Sequence, residues 1–445
     1  MHRPKLLFLC QTLPYPADGG VWIRTYHVLR LLSRAFDVTA LCFERAGSSG
    51  DSTDWATAAG PDALGRFAHV EVFPIPQKRS RVRFAWDHLR SVASGRVYTT
   101  YLYESKRFRA RLRQLLRSTA FDLVHVDSLD LAAYLPACGQ TPVVCVHHDI
   151  ESTLLGRRAA LDRHRWRGAY LRYQAGLMAD VERRWCGRIA LNVTVSEQDQ
   201  AVLKRAVPDA RVCVVPNGVD PDEFRPVPDE GRGVAFVGGT SPFPNLDALD
   251  YFCSDIAPHL FLPAKGAPEL GVASGFSRKD EPIPIRWIGR ASDEQRQHYR
   301  SRFDVELTGY VDDVRTAMAE AACHIVPLRI GGGTRLKILN AWAMGKPVVS
   351  TSVGCEGLHA IDGDNILIRD DPRAFAGAAL AVLQDDGLRK RLGARGRETV
   401  ARLYSWEAIA SPMIDAYLAA ARAPRVPAPP DRSGTADLRS QVATG

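Results

Sequence analysis

The sequence predicts an α/β protein made of two doubly wound domains, each built around a parallel sheet. Three observations lead to this prediction. The chain has 445 residues, more than one hydrophobic core usually holds. Short apolar segments rich in β-branched residues alternate with segments of helical period along the chain, a pattern that favours parallel sheets. The alternation stops once, at the turn-rich residues 216–232, and then starts again.

Seven strands are expected before this turn. The first spans Lys5–Cys10, and a loop that ends in Gly19 and Gly20 joins it to a helix. Apolar residues recur every three or four positions in this helix, between Trp22 and Phe36. The other six strands are predicted at residues 38–43, 70–73, 123–126, 143–146, 191–195 and 212–215. These elements assign residues 1–215 to a first domain.

Six further strands define a second domain over residues 216–404. They are predicted at residues 234–237, 285–288, 305–308, 324–328, 347–351 and 366–368. A proline-rich segment, residues 262–284, is expected to be a loop insertion in this domain. A last helix over residues 405–423, with Ser405 as its N-cap, is expected to pack back on the first domain. The Pro-, Ala-, Gly- and Ser-rich residues 424–445 are expected to be disordered.

The composition argues against several classes of protein. Apolar residues make up 46% and charged residues 24% of the chain, as in ordinary globular proteins. The nine cysteines lack CxxC spacing, which argues against a zinc site or a disulfide framework. The apolar segment at the N-terminus is too short for a signal peptide, and no segment reaches the ~20 apolar residues that span a bilayer. The expected location is therefore the cytoplasm.

Positive charge is concentrated in the first half of the chain. Residues 1–215 hold 31 Lys and Arg against 20 Asp and Glu, a balance of +11, whereas the remainder carries −3. Such a balance favours an anionic partner, which a phosphate-bearing substrate, an anionic membrane or nucleic acid would each satisfy. A solvated arginine-rich surface explains the same balance equally well.

The most basic segment is residues 77–118, with twelve Lys and Arg against Asp87 and Glu104 and with aromatic residues interleaved. It suggests an interfacial surface for a lipid-linked acceptor, at the inner face of the cell membrane. A solvated helix pair over the core is the alternative. Nucleic acid is not expected as a partner, because no known binding motif is present.

The strongest sign of chemistry is the glycine-rich segment at residues 330–345. It follows a predicted strand, and three consecutive glycines leave backbone amides free to surround phosphate oxygens. Arg335 and Lys337 place positive charge beside them. The segment lacks the GK[ST] ending of a Walker A loop. The Gly19–Gly20 loop at a helix N-terminus also suits an anion, but it lacks the GxGxxG pattern of nicotinamide-binding folds.

Together with residues 308–313 before it and 350–357 after it, this segment resembles the donor site of family 4 retaining glycosyltransferases. It is most similar to bacterial polysaccharide-biosynthesis members with a GGGTRLK loop. The resemblance extends over nearly the whole chain, through residues 14–20, 148–151, 216–220 and 244–245. It implies a GT-B fold, in which two Rossmann-like domains face a cleft. It also implies sugar transfer from a nucleotide diphosphate donor with retention.

The resemblance also assigns roles to single residues. Arg335 and Lys337 match the diphosphate clamp, and His148, in preference to His147, matches a histidine near the transferred sugar. The residues implied for binding the donor nucleotide are Gly19, Gly20, Gly309, Tyr310, Val311, Gly332, Gly333, Thr334 and Asn340.

Two departures from the family pattern concern charge. Gly332 and Asn340 stand where family 4 enzymes usually carry two glutamates, and Asn340 is expected to hold the ribose more weakly than a glutamate would. The usual Arg and Lys after the first strand of the second domain are also missing. Phosphate neutralisation is therefore expected to depend more heavily on Arg335 and Lys337.

The sequence thus predicts a hexosyltransferase that uses a nucleotide-sugar donor, a saccharide or lipid-linked acceptor and no metal or other cofactor. Asp362-Gly363-Asp364 resembles a metal-binding DxD motif but is better explained as a turn. A nucleotide-sugar epimerase of the same architecture is one alternative. A non-catalytic nucleotide-sugar-binding protein is the other, suggested by Gly332 and Asn340.

Overall fold

The computed structural model describes residues 3–45, 54–77, 80–162, 164–226, 231–240, 243–261, 283–331 and 335–423. They form two compact units. The first consists of the described parts of Met1–Thr194, Ala201–Cys213 and Ile414–Gly445, and the second of those of Val195–Gln200 and Val214–Met413. The predicted tail 424–445 and nearly all of the predicted insertion 262–284 lie outside the described residues.

The first unit contains a seven-stranded sheet in the order β3-β2-β1-β4-β5-β6-β7, with parallel pairing from β3 through β6. Its strands are β1 Lys5–Cys10, β2 Asp37–Phe43, β3 His69–Phe73, β4 Leu123–Val126, β5 Val143–His147, β6 Leu191–Thr194 and β7 Val212–Val214. The helices of this part of the chain are α1 Gly20–Leu32, α2 Asp54–Leu64, α3 Arg81–Ser94, α4 Thr99–Leu102, α5 Lys106–Ser118, α6 Glu151–Leu161, α7 Arg165–Trp185 and α8 Glu197–Ala206. A 3-10 helix spans Leu129–Cys138.

The second unit contains a six-stranded parallel sheet in the order β10-β9-β8-β11-β12-β13. Its strands are β8 Val234–Val237, β9 Ile285–Ile288, β10 Val305–Gly309, β11 Cys323–Val326, β12 Val348–Ser350 and β13 Leu367–Ile368. The helices of this part of the chain are α9 Phe243–Tyr251, α10 Ala257–Phe261, α11 Asp293–Phe303, α12 Val314–Ala319, α13 Leu336–Ala343, α14 Pro372–Gln384, α15 Asp386–Thr399 and α16 Trp406–Ala421, with π-helical turns at Phe252–Ile256 and Val400–Tyr404. From Ile414 onward, α16 belongs to the first unit.

All thirteen predicted strands are present, with ends that shift by at most two residues. They were recognisable because β1, β4, β8 and β11 are short, mainly apolar segments, as expected for strands that helices cover on both sides. In each sheet the strand order reverses beside the first strand, between β1 and β4 and between β8 and β11. Ligands of doubly wound folds bind at this switch point, outside the carboxyl ends of the strands.

The last helix, α16, contributes to a buried polar contact of the first unit. The Tyr417 hydroxyl lies 3.0 Å from Nδ1 of His125 on β4. Within the described residues, none of the helices combines the length and the apolar character needed to cross a membrane.

Candidate active site

Gly19, in the loop after β1, occupies the N-cap position of α1 beside the switch point of the first sheet. Gly19 is required by close packing, because a Cβ atom there would lie 2.6 Å from Cε3 of Trp22. The Trp22 ring is fixed by the Arg45 guanidinium, 3.4 Å from its centre, and by a 3.1 Å hydrogen bond to Thr12. No acidic side chain occupies the first turn of α1. The amides that follow Gly19 and Gly20 therefore suit an anion.

The two consecutive histidines at the end of β5 have different environments. His147 is buried, its Nε2 lies 3.0 Å from Oδ1 of Asn192, and burial lowers its pKa to about 4. His148 instead places its Nε2 3.5 Å from Oδ1 of Asp127, which follows β4. Of the pair, His148 is therefore the residue that belongs to the polar cluster at the switch point.

Asp127 is the centre of this cluster, and sequence reasoning missed it. Its carboxylate accepts hydrogen bonds of 3.1 and 3.0 Å from the Thr25 hydroxyl on α1, and His125 lies 3.7 Å away. Burial alone would raise the pKa of Asp127, but the two histidines, His148 foremost, hold it well below the usual range of a carboxyl. Asp127 is thus a buried carboxylate within ion-pair distance of His148. Its position directly after a strand next to β1 was the available signal.

Further ionisable groups surround the same point of the first unit. Arg24 on α1 is buried, and burial lowers its pKa to about 10, although Tyr417 and Asp127 oppose the shift. Burial also raises the pKa of Asp130. Burial, followed by the nearby charge of Asp130, raises the pKa of Glu151 to about 8. Shifted values of this kind are typical of functional sites.

In the second unit, Arg335 occupies the N-cap position of α13. Its Nη2 donates a 3.1 Å hydrogen bond to the Val353 carbonyl, after β12, and lies 3.9 Å from Glu356. A Cβ atom on Gly331 would lie 2.8 Å from Nη1 of Arg335, so the guanidinium packs directly on that glycine. Arg335 is therefore a buried cation outside the carboxyl ends of β11 and β12.

Lys337 extends from α13 to the end of β8. Its Nζ donates a 3.0 Å hydrogen bond to Oδ1 of Asn245 and lies 3.8 Å above the Phe236 ring. Asn245 in turn donates to the Gly239 carbonyl over 2.9 Å. Burial, followed by the charge of Arg335, lowers the pKa of Lys337 well below its ordinary value. The segment after β8 has no lysine or arginine of its own, and Lys337 brings a cation to it from another element.

The residues expected to meet the nucleobase lie at the end of β10. Gly309 adopts φ 78°, which favours glycine, and Tyr310 directly after it is 62% exposed. The Arg290 guanidinium lies 4.9 Å from the centre of the Tyr310 ring. Val311 packs on the edge of the hydrophobic core. Tyr310 thus offers an exposed aromatic face beside a cation.

The other predicted nucleotide contacts are only partly described. Asn340 lies in the second turn of α13 and is half-buried, and its side chain makes no hydrogen bond within the described part of the chain. Gly332, Gly333 and Thr334 lie outside the described residues.

The Asp362-Gly363-Asp364 segment forms a turn in which Gly363 has φ 77°. The Asp362 carboxylate accepts hydrogen bonds of 2.8 Å from the Ile368 amide and of 2.8 Å from the Arg369 guanidinium. Asp364 forms an ion pair with Arg395 at 2.9 Å. No group of three or more His, Cys, Asp or Glu residues suited to a metal ion occurs in the described ranges.

Two family descriptions match the chain. Residues 18–223 match Glycosyltransferase Family 4, and residues 231–385 match Glycosyl transferases group 1. The chain carries the two domains of a family 4 type glycosyltransferase. This glycosyltransferase is 24% identical over 318 residues to the phosphatidyl-myo-inositol mannosyltransferase of Mycobacterium leprae, a match that covers 69% of this chain and 76% of the relative.

Two solved structures share the fold of this glycosyltransferase over 93% of the chain. Anabaena Alr3699/HepE in complex with UDP-glucose has a TM-score of 0.61 at 16% identity, with 99% of its own chain covered. Sucrose-phosphate synthase from Thermosynechococcus elongatus has a TM-score of 0.67 at 16% identity, with 98% covered. The predicted GT-B class with two Rossmann-like domains is confirmed. The roles of the individual site residues stay predictions.

Proposed function

We propose that this glycosyltransferase moves a hexose from a nucleotide diphosphate sugar to a saccharide acceptor, with retention at the anomeric carbon. One observation carries the proposal. Arg335 and Lys337, two residues apart, bring cationic groups to the carboxyl ends of β8, β11 and β12, where the strand order of the second sheet reverses. A solved neighbour of the same fold was crystallised with UDP-glucose, which supports a donor of this class.

In the proposed reaction the two cations act on the leaving diphosphate. Negative charge grows on its oxygens as the glycosidic bond breaks, so a fixed guanidinium and a lysine ammonium stabilise the transition state more than the ground state. A phosphate next to Lys337 also offsets the desolvation that lowers the lysine pKa in the free protein. Donor binding is therefore coupled to full protonation of Lys337.

On the acceptor side, the proposed route uses the donor itself as the base. In a retaining transfer the acceptor attacks the face that the diphosphate leaves, and a leaving phosphate oxygen takes the acceptor proton. We assign no protein nucleophile. His148 contacts the transferred sugar through a hydrogen bond, and the ionised Asp127, 3.5 Å behind it, fixes the orientation of the ring.

The proposed acceptor is a lipid-linked saccharide in polysaccharide biosynthesis, met at the inner face of the cell membrane. The +11 balance of residues 1–215 supports an anionic surface as partner. A curated relative is named for transfer to a phosphatidyl-inositol, and this too suggests an acceptor that carries a lipid.

The decisive test is a thermal-shift screen against UDP-, GDP- and ADP-sugars, followed by a transfer assay with the sugar that stabilises the protein. Stabilisation by one nucleotide class and acceptor-dependent product are expected. Product formed without acceptor by inversion within the donor sugar would point to an epimerase. Donor binding with neither transfer nor slow donor hydrolysis would point to a non-catalytic binding protein.

A further inference from the structure

Helix α3 in the first unit has its polar side inward and its apolar side outward. Val82, Trp86 and Leu89, spaced to share one face, are 80%, 61% and 62% exposed. Asp87 and Ser91, on the opposite face, are almost completely buried. A helix on a globular protein normally shows the reverse arrangement. The outward face of α3 therefore has the character of a surface that another body covers.

Polar contacts fix α3 in this orientation. Gln77 donates a 2.6 Å hydrogen bond to the Asp87 carboxylate, and Arg90 lies 3.3 Å from the same group. Gln174 on α7 donates a 2.8 Å hydrogen bond to the Ser91 hydroxyl. A rotation of the helix that buried its apolar face would remove the hydrogen-bond partners of the Asp87 carboxylate. Loss of such partners is energetically costly for a charged group. The apolar exposure is thus built into the fold.

Helix α7 extends the same surface. The Tyr173 hydroxyl donates a 3.3 Å hydrogen bond to the Val92 carbonyl of α3. The ring of Tyr170 stacks on the ring of His88. Trp166 lies one turn before Tyr170 and is 73% exposed. The docking face, defined as Val82, Trp86 and Leu89 on α3 with Trp166 on α7, therefore includes two indole rings, which favour the boundary between water and lipid.

The charges around the docking face are positive. Arg81 on α3, Arg96 after it, and Arg165 and Arg167 on α7 are exposed, and Arg167 also forms a 3.2 Å ion pair with Asp162. Residues 80–118 contain only two acidic residues, Asp87 and Glu104, and Arg90 contacts both. Residues 164–179 contain none. An anionic partner matches this surface, and an apolar centre with a basic rim fits an anionic lipid headgroup layer.

Helix α5, the most arginine-rich part of the basic segment 77–118, is a different kind of surface. Its apolar residues Phe108, Leu112 and Leu115 are buried in the core, and Arg111 forms an ion pair with Glu71 at 2.6 Å. No large apolar side chain of α5 is exposed. Within the segment 77–118, the combination of exposed apolar and basic side chains is found on α3.

We propose that the docking face binds an anionic bilayer, with its apolar side chains at the level of the acyl chains and its arginines at the headgroups. This inference rests on the proposed function, since it brings the protein to a lipid-linked acceptor. Its failure and that of the proposed function are distinguishable, because nucleotide binding by the free protein needs no membrane.

The test is co-sedimentation of the full chain with vesicles of phosphatidylcholine, alone or mixed with phosphatidylglycerol. Trp86→Gln with Leu89→Gln removes the apolar centre, and Arg81→Gln with Arg96→Gln removes two charges of the rim. Each pair is expected to lower binding to the anionic vesicles by about tenfold or more. Arg107→Gln with Arg113→Gln, two exposed positions on α5, is the matched control for charge and is expected to change binding by less than about twofold.

Three outcomes would overturn the proposal. The first is equal recovery of the protein on neutral and anionic vesicles. The second is an equal loss of vesicle binding for the two arginine pairs. The third is a dimeric wild type together with a monomeric Trp86/Leu89 variant. The last would make the docking face an interface between copies of the chain. Unchanged unfolding midpoints and nucleoside diphosphate affinities of all variants, measured without vesicles, show that the fold and the donor site are intact. Absence of binding to each of UDP, GDP and ADP in the wild type would instead count against the proposed function.

Discussion

Replacing Lys337 by methionine separates the contribution of this residue to donor binding from its contribution to stability. Methionine keeps the length and the contact with the Phe236 ring but removes the charge and the 3.0 Å hydrogen bond to Asn245. A charge-assisted hydrogen bond to phosphate is worth about 1.5–3 kcal/mol, so nucleotide affinity is expected to fall by about one to two decades. Calorimetric titration with the nucleoside diphosphate measures this directly.

The stability of the free protein is expected to respond in the opposite direction. Burial lowers the pKa of Lys337 in the folded state, so between that lowered value and the ordinary pKa of lysine the unfolded chain binds more protons. The stability of the wild type therefore rises with pH across this window, and at neutral pH the burial of Lys337 is a cost. Lys337→Met removes both the free-energy cost of burying the lysine and the rise in stability with pH. Unfolding midpoints of the two proteins as a function of pH provide the comparison.

Lys346 supplies a matched control in the same unit. It is buried, and its Nζ donates a 3.0 Å hydrogen bond to the Ala319 carbonyl at the opposite end of the strands. Lys346→Met is expected to lower the unfolding midpoint and leave nucleotide affinity within about twofold. If Lys337→Met binds nucleotide as tightly as the wild type, or loses stability as Lys346→Met does, then Lys337 is a structural residue and the reasoning fails.

Three further predictions concern the rest of the site. Transfer in excess EDTA is expected to match the untreated rate, because Asp362 and Asp364 already pair with Arg369 and Arg395; collapse with rescue by Mg²⁺ or Mn²⁺ would contradict this. Asn340→Glu is expected to tighten nucleotide binding in a titration, since a charged acceptor forms a hydrogen bond about twice as strong as a neutral one, and weaker binding would mean that the pocket is shaped around the amide. Asp127→Asn is expected to lower kcat about 10–100-fold while KM for the donor changes little, and a loss confined to KM would argue against a role in orienting His148.

The fold could be predicted from the sequence because its signal is local and repeated. A strand of a covered parallel sheet is a short apolar segment with helical periodicity on either side, and both are visible without any long-range information. Glycine-rich turns drew attention to Gly19 and Arg335, and the fold places both beside switch points of the sheets, while their roles stay predictions. The same reasoning failed for Asp127, because one aspartate after an apolar strand looks like an ordinary turn residue. Only the strand order places it between Thr25 on α1 and His148 after β5.

Helix α3 shows a second kind of limit. Counting charges over residues 77–118 cannot separate a helix with buried apolar residues from one that exposes them, because both contain arginines at similar spacing. The distinction depends on Gln77, Arg90 and Gln174, which satisfy Asp87 and Ser91 on the inner side of α3. These contacts join residues up to 83 positions apart. The composition of the segment does not reveal such pairing, and so the proposed docking face is narrower than the surface expected from residues 77–118.

The second unit shows how a departure from the family pattern can be compensated in three dimensions. The segment after β8 lacks the two cations that its resemblance leads one to expect, and from sequence alone phosphate neutralisation was expected to depend more heavily on Arg335 and Lys337. In the fold, however, α13 begins beside β11, the neighbour of β8, and Lys337 in its first turn reaches the ring of Phe236 and the amide of Asn245. A lysine about one hundred positions further along the chain thus reaches the segment after β8. Burial lowers the pKa of Lys337 well below its ordinary value, and an anion beside the lysine would offset that shift, as the proposed binding of the donor diphosphate requires.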